Sequence, residues 1–414
     1  MMWLLELVAM TVARYVLSSV GIFESLTRTV TLWLVASIPL LWFFVNIRTL
    51  KTEQFRAALI LYVVIGITML LSVLFNPALA EFYTRSDYGL ERIIRPDQAM
   101  FAFLFFCLFD DPNELDNNIT KFAFVAFVYR IVVQLLPALS KGYWIDIGPQ
   151  GQELHFSYNL SFGYAMTFPT VVFIRKAMKE KKIKYTVLAL IGAWSVLTQG
   201  NRGALLVLVV YIGLSVISNI MGSESASKKA LKIAGIIIAM LFVAIFGDAL
   251  LDWGFSLLSN SGLSSSRNIE LLLQGKMTGD NGRELIWLTV FNAIKSGGIF
   301  GHGILGDRPF VFRLHYAGYS HNLFLELLCS LGIIGAGIIV YIIIDAIRMI
   351  FFCKDTEWRE LYIILFSVSC QLMLSMSFWY VWEFWAAAAI AYKYRKLKRN
   401  NAGYTLNRNK SDLI

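Results

Sequence analysis

The residues best suited to chemistry are basic and lie close together, in the hydrophilic segment 253–320 and just after it. A guanidinium group is always charged and binds two phosphate oxygens at once, and a histidine can take a proton near neutral pH. The segment therefore predicts a site for an anionic substrate, with His321 as a candidate base where the next apolar helix starts. Its basic side chains are Arg267, Lys276, Arg283, Lys295, Arg308 and Arg313, with His302 and His315 beside them.

A second signal is the short turn TQGNRG at residues 198–203. Gly200 and Gly203 permit a tight turn, and Arg202 lies close to the start of a helix. An arginine here could equally reach towards lipid phosphate at the membrane surface. Together with the basic segment, it favours a diphosphate ligand, because fixed cations stabilise a departing lipid diphosphate without a metal.

His321 has two interpretations. It could accept the proton of an attacking sugar hydroxyl, or it could hydrogen-bond its own turn or a lipid headgroup. Asn322 suits a helix start and is expected to hold the local backbone and to contribute to substrate binding. Glu326 lies about 140° further around the helix, so it is badly placed to orient the imidazole. His302 and His315 are weaker candidates because no adjoining element fixes them.

The elements that must position these residues are apolar helices. Of 414 residues, 57% are hydrophobic and 16% charged, whereas soluble domains carry about 25% charged residues. Apolar runs recur along the chain at the length that crosses a bilayer. The net charge of +9 falls mainly in short segments between these runs, which is typical of topology signals and excludes a nucleic-acid partner.

The pattern predicts an all-α polytopic membrane protein with about twelve transmembrane helices. Four segments follow along the chain: helices 1–9 in residues 1–252, a large outward-facing loop in 253–320, helices 10–12 in 321–393 and a basic tail in 394–414. The helices are expected near 3–22, 29–47, 57–76, 98–110, 119–138, 158–174, 184–198, 204–220, 231–252, 321–347, 361–376 and 379–393.

Orientation follows from the basic residues, which concentrate on the cytoplasmic side of membrane proteins. The runs at 175–184 and 393–400 are expected inside, and both termini with them. The loop 253–320 then faces the periplasm or the cell exterior. Positive charge on that face is unfavourable for topology, so an anionic ligand is the economical explanation. The basic tail also suits anionic lipid, although a solubilising role explains it as well.

Three motifs resemble the O-antigen ligase and polymerase family: GNRGALLVLVVY at 200–211, GRELIWLTVFNAIKSGGIFGHGI at 282–304 and SHNLFLELLCSLGIIGAGII at 320–339. The resemblance implies an inverting glycosyltransferase of the bacterial inner membrane that needs no metal or cofactor. Its donor would be an undecaprenyl-diphosphate-linked glycan. Two arginines and one histidine of the family's site fall on Arg202, Arg283 and His321. Arg308 and Arg313 match no motif and are assigned to phosphate binding from charge alone.

Two activities share these motifs and differ in the molecule that accepts the glycan. A polymerase transfers the growing chain of an O-antigen or capsule to another lipid-linked repeat unit, with or without a chain-length regulator. A ligase transfers it to lipid A-core. Polymerase is favoured because surface polysaccharide clusters so often contain one.

Two other classes remain as alternatives. A polysaccharide flippase would need cations along a central cavity. A peptidoglycan polymerase uses the same lipid carrier and would need a catalytic acid in an outer loop, for which Asp280 or Glu284 could be mistaken.

Overall fold

The structure, a computed structural model, describes residues 25–85, 88–147, 153–156, 159–199, 202–221, 283–314 and 318–411, with the isolated positions 9, 16, 20 and 21. Helices dominate the described chain, and β1 (Trp144–Ile147) pairs antiparallel with β2 (Glu153–Phe156). The expected helix at 231–252, most of that at 3–22, loop residues 253–282 and His315 lie outside the described residues.

The α-helices of the described residues are numbered in chain order. They are α1 (Ser25–Val45), α2 (Glu53–Phe75), α3 (Ala80–Thr84), α4 (Glu91–Ile94), α5 (Ala102–Cys107), α6 (Pro112–Tyr129), α7 (Leu136–Lys141), α8 (Leu160–Glu180), α9 (Ile183–Gln199), α10 (Arg202–Met221), α11 (Arg283–Ser296), α12 (Arg308–Val311), α13 (Leu323–Phe351), α14 (Thr356–Ser369) and α15 (Trp382–Ser411).

Within the described residues, four helical stretches are long and apolar enough to cross a membrane. Two shorter apolar helices, Thr29–Trp42 and Ile183–Thr198, accompany them. This composition is that of a membrane protein. The four stretches are Glu53–Phe75, Pro112–Lys141, Gly203–Ile220 and Leu323–Phe351.

The apolar run at 98–110, expected to span the membrane, has a different structure. A 3₁₀ turn, Ala99–Phe101, leads into α5, which has only 6 residues. The helix is buried rather than lipid-facing: the Phe106 ring lies 5.8 Å from that of Trp382 on α15. The α-helix in this run is therefore shorter than hydropathy predicts, and the membrane span itself stays a prediction.

The chain forms two compact units. Unit 1 comprises Met1–Val35 and Asn117–Gly282, and unit 2 comprises Ala36–Asp116 and Arg283–Ile414.

Within unit 1, α6 and α8 meet through aromatic side chains. The rings of Phe127 and Phe173 lie 5.3 Å apart, edge to face. The start of α10 packs closely on α8, because a side chain added at Gly203 would collide with the Tyr164 hydroxyl. Gly203 was expected to permit a turn. In the structure it is the second residue of α10, where its small size allows this close approach.

In unit 2, α13 is broken at Gly332, which has φ 54° and ψ −124°. The backbone groups released by the break bond to the segment that precedes α12. The carbonyls of Cys329 and Ser330 accept from the N–H groups of His302 and Gly303, each at 2.9 Å, and the Ile333 N–H donates to the carbonyl of Ile299 at 2.8 Å. Residues 299–303 thus satisfy hydrogen bonds that a continuous helix would make internally.

The two halves of α13 therefore act as separate helices. The second half, from residue 333 to 351, has about 19 residues, long enough to cross a hydrocarbon core about 30 Å thick. The first half packs on α11 around a shared core of Ile286, Val290, Ala293, Val311 and Cys329.

Both α11 and the first half of α13 end near His302. Its Nε2 lies 2.8 Å from the carbonyl oxygen of Ala293, and its backbone N–H bonds to the carbonyl of Cys329. Since the two helices share a core and end at one residue, we infer that they start on the same side of that core. Their starts carry Arg283 and Asn322.

The break predicts a sharp difference between two glycines of α13. Gly332→Ala should lower the thermal unfolding midpoint of the detergent-purified protein by several degrees. A side chain there would meet the Ile299 carbonyl, and a left-handed non-glycine residue costs about 1–3 kcal/mol. The matched control is Gly337→Ala, because nothing lies within 4 Å of a Cβ at this position. That variant should unfold at the wild-type midpoint or slightly above, since alanine is the better helix former. Equal midpoints for both variants would contradict the break.

Candidate functional site

His321 lies at the junction between an extended segment and the start of α13. Its backbone has φ 53°, in the left-handed region that non-glycine residues rarely adopt. Its ring packs on that of Tyr319, with centroids 4.4 Å apart. A residue held in an unfavourable conformation needs support from its neighbours, and such residues cluster at functional sites.

One support is Asn322, which caps α13. Its Oδ1 accepts from the N–H groups of Phe324 at 3.0 Å and Leu325 at 3.1 Å, and its Nδ2 donates to the carbonyl of Met373 at 3.3 Å. The prediction that Asn322 holds the helix start is confirmed. The amide also ties this start to the irregular chain that follows α14.

The other support comes from Asp307. Its Oδ2 accepts the backbone N–H of Ser320 at 2.8 Å, one residue before His321. Asp307 and Ser320 are both fully buried, so this bond is shielded from water. The backbone on either side of His321 is thus held by Asp307 and Asn322.

Asp307 belongs to a buried ion cluster centred on Arg308, whose side chain is 2% exposed. The guanidinium donates from Nη1 to Asp307 Oδ2 and from Nη2 to Glu326 Oε1, both at 3.1 Å. The Ser377 hydroxyl donates to the same oxygen of Glu326 at 2.5 Å and accepts from Arg308 Nη2 at 3.2 Å. The cluster connects the loop before α12, the first turn of α13 and the chain before α15.

The charges of this cluster determine what it can do. Burial by itself would lower the pKa of Arg308, but the carboxylates of Asp307 and Glu326 more than offset this, so its pKa lies above the ordinary value. One cation faces two carboxylates. The prediction that Arg308 binds phosphate is therefore not supported by its surroundings, because the acidic neighbours already balance its charge.

The other residues named from sequence have diverse positions. Arg283 opens α11 and is half-buried, Arg313 is exposed in the turn after α12, and Arg202 opens α10 in unit 1. Arg283, Arg308 and His321 all belong to unit 2. His302, judged to have no fixing element, is held by Ala293 and Cys329 and packs on Phe310 at 4.8 Å.

The structure places two tyrosines that sequence reasoning missed, Tyr88 and Tyr380, beside Tyr319 and the cluster. The rings of Tyr319 and Tyr380 lie 5.7 and 5.8 Å from that of Tyr88, and the Tyr380 hydroxyl donates to the Tyr88 carbonyl at 2.7 Å. The Arg308 guanidinium lies 5.4 Å from the Tyr319 ring centre. Tyr319 is buried, whereas Tyr88 and Tyr380 are half-buried, so only the latter two rings are accessible for contact with a ligand.

The segment that supplies Tyr88 also contains arginines. The Arg85 guanidinium lies 4.2 Å from the centre of the Phe312 ring, and Arg92 follows one turn after Tyr88. Residues 77–97 lie between the predicted helices 57–76 and 98–110, and this helix order, with the N-terminus inside, places them on the same side of the membrane as loop 253–320. Basic residues on that side are unfavourable for topology, so Arg85 and Arg92 would have indicated from sequence that this segment belongs to the candidate site.

The fold and these contacts define a helical membrane protein whose polar cluster of unit 2 is built between helix ends. Part of the sequence also matches a known protein family. Residues 187–340 match the family model described as O-antigen ligase. The match confirms the family resemblance predicted from the motifs, and it includes Arg202, Arg283 and His321. Neither a search of curated proteins nor one of solved structures found a match.

The ion cluster makes a direct prediction about stability. Arg308→Met should destabilise the protein by about 3–5 kcal/mol, because it leaves two carboxylates buried without their cation. Arg313→Met, five residues along and exposed, should change stability by less than about 0.5 kcal/mol. Thermal unfolding of the purified proteins measures both.

A double variant tests the cause of that loss. Arg308→Met combined with Glu326→Gln should recover part of the stability, since one of the two stranded charges is gone. If Arg308→Met unfolds at the same temperature as Arg313→Met, the cluster contributes nothing to the fold.

Proposed function

We propose that the protein is a membrane glycosyltransferase that polymerises undecaprenyl-diphosphate-linked repeat units of a surface polysaccharide, an O-antigen or a capsule. The observation that carries the proposal is the support of His321 by Asp307 and Asn322 inside the region that matches the O-antigen ligase family. A base is useful only when its position is fixed relative to the hydroxyl that it serves.

The reaction is a direct displacement. The oxygen of an acceptor hydroxyl bonds to the anomeric carbon of the donor, the bond from that carbon to the diphosphate breaks, and the configuration inverts. The hydroxyl proton passes to His321, and the lipid diphosphate leaves with its electron pair. We assign the stabilisation of this leaving group to Arg202 and Arg283, so that neither a metal nor a cofactor is required.

Unit 2 contributes three features to this proposal. We infer that Arg283 and Asn322 start their helices on the same side of a shared core, which brings an arginine towards the end that carries His321. The half-buried rings of Tyr88 and Tyr380 offer sugar-stacking faces nearby. Arg308 serves as an internal counter-charge that fixes the loop, and exposed Arg313 is a secondary contact for phosphate.

We place the enzyme in the inner membrane of a bacterium, with its active site on the periplasmic face and both termini in the cytoplasm. Its partners are then the lipid-linked donor, a lipid-linked acceptor and, for chain length, a separate regulator. Ligase activity towards lipid A-core is the second candidate, and the family description favours it directly. A flippase is less suited, because the buried cation Arg308 is neutralised by carboxylates rather than open to a cavity.

Deletion of the gene distinguishes the two enzymes. Loss of a polymerase leaves single repeat units on the acceptor, whereas loss of a ligase leaves long chains on the lipid carrier. Gel electrophoresis of the surface glycan, with extraction of the carrier-linked fraction, gives both readouts. An unchanged glycan in both fractions would reject the proposed function.

Variants of the site should separate turnover from donor binding. His321→Gln should lower turnover by about two to four orders of magnitude with donor binding close to wild type. Arg283→Lys and Arg202→Lys should lose most donor binding as well, since an ammonium does not bind two phosphate oxygens at once. Transfer to acceptor and retention of lipid-linked donor by the purified protein are measured in parallel.

The matched control is Lys295→Met, which removes an exposed cation from the same helix as Arg283. It should retain wild-type activity and donor binding. Wild-type turnover in His321→Gln would exclude the histidine as the base, and lost donor binding there would assign it to the diphosphate instead.

A further inference from the structure

Unit 2 contains a second polar region, a cavity of about 900 Å³ between the end of α13 and the middle of α15. Its lining includes five basic and two acidic side chains, a net charge of +3 when 2 is subtracted from 5. Apolar and aromatic residues form the remaining wall. The charged lining residues are Arg348, Arg395, Lys396, Lys398, Arg399, Glu53 and Asp345.

The two carboxylates are already engaged. Asp345 pairs with Arg395, which also donates to the Tyr341 hydroxyl, and Glu53 pairs with Lys396. Within the part of the chain that the structure describes, this leaves three cations of the cavity with no carboxylate in salt-bridge contact. They are Arg348, Lys398 and Arg399, all exposed to an incoming ligand.

An apolar cavity of about 310 Å³ adjoins this cationic one, and Asp345 lines both. It lies between α13, α14 and α15, and both halves of α13 contribute to its wall through Phe324 and Ile347. Ala387 and Ala388 on α15 leave the space open. The cationic cavity and the apolar cavity therefore share Asp345 in their walls.

This pairing fits an amphiphile with an anionic head. We propose that the two cavities bind an anionic glycerophospholipid, with its phosphate against Arg348, Lys398 and Arg399 and part of an acyl chain in the apolar cavity. Basic residues near a membrane surface attract anionic lipid by about 1 kcal/mol each. A zwitterionic lipid fits less well, because its ammonium group would enter a chamber that already carries excess positive charge.

General positive charge on the cytoplasmic side would place basic residues here without any site. Such charge needs neither a concave wall nor an adjoining apolar space. The convergence of three cations on one chamber, next to a slot for a hydrocarbon chain, is the feature that separates a binding site from a topology signal.

Binding to the purified full-length protein tests the proposal, with short-chain phosphatidylglycerol as probe. It should raise the thermal unfolding midpoint in a saturable way, and phosphatidylcholine of equal chain length should do so weakly. Arg348→Ala/Lys398→Ala/Arg399→Ala should raise the Kd by roughly a hundredfold, since each cation contributes about a fivefold factor. The thermal unfolding midpoint of this triple variant without lipid shows whether the variant folds.

The matched control is Lys181→Ala/Lys182→Ala/Lys184→Ala, three exposed basic residues of another inner segment. Its Kd should stay within about twofold of wild type. An equal loss in both triple variants, or equal shifts with the two lipids, would reduce the site to general surface charge and overturn the proposal.

The apolar half is tested separately with Ala388→Trp, which fills the slot at a half-buried position. This variant should weaken phosphatidylglycerol binding while the cations remain. Glycerol phosphate, the head without its chains, should stabilise the wild-type protein only weakly. If it binds as tightly as the lipid, and Ala388→Trp has no effect, the ligand is a soluble phosphate and the lipid assignment is wrong.

Discussion

The burial of one charge, that of Arg308, constrains the polar part of unit 2. A guanidinium away from water requires carboxylates at hydrogen-bonding distance, and here they come from Asp307 beside it and from Glu326 on α13. Because these partners lie on different segments, the charge holds the segments together. Breaking such a pair strands a buried ion, so the arrangement is far more sensitive to loss of one partner than an exposed salt bridge.

The backbone of the site depends on this cluster. Asp307 binds the Ser320 N–H with the same carboxylate oxygen that faces Arg308. The position of the charge and the conformation of the chain before His321 are thereby coupled. Asn322 completes the support from the helix side. The backbone of His321, which has a positive φ, is thus held from both sides by hydrogen bonds of its neighbours.

The break at Gly332 serves the same end in a different way. An interrupted helix exposes carbonyl and N–H groups, and residues 299–303 bind them. This brings the segment before α12 against α13, so that Asp307 and Arg308 reach Glu326. The same break lets both halves of α13 line the apolar cavity proposed to hold a lipid chain. Local backbone chemistry thus connects the polar site to the apolar one.

Composition and local sequence patterns were enough to predict several features of this protein. The lengths of the apolar runs indicated a membrane protein, the Asn322 side chain indicated a helix start, and the motifs around Arg202, Arg283 and His321 indicated the resemblance to the O-antigen ligase family. Each of these depends on neighbours in the chain, which periodicity and capping rules can read.

Contacts between residues distant in sequence became visible only in the three-dimensional structure. Arg308 looked like a free cation in a loop, but Glu326, 18 residues on, and Ser377, 69 residues on, enclose it. Hydropathy predicts one helix over residues 98–110, but a 3₁₀ turn followed by the short helix α5 lies there, buried against α15. Hydropathy and charge describe what a side chain is. Whether it faces lipid, water or an opposite charge is set by long-range packing, which no local pattern specifies.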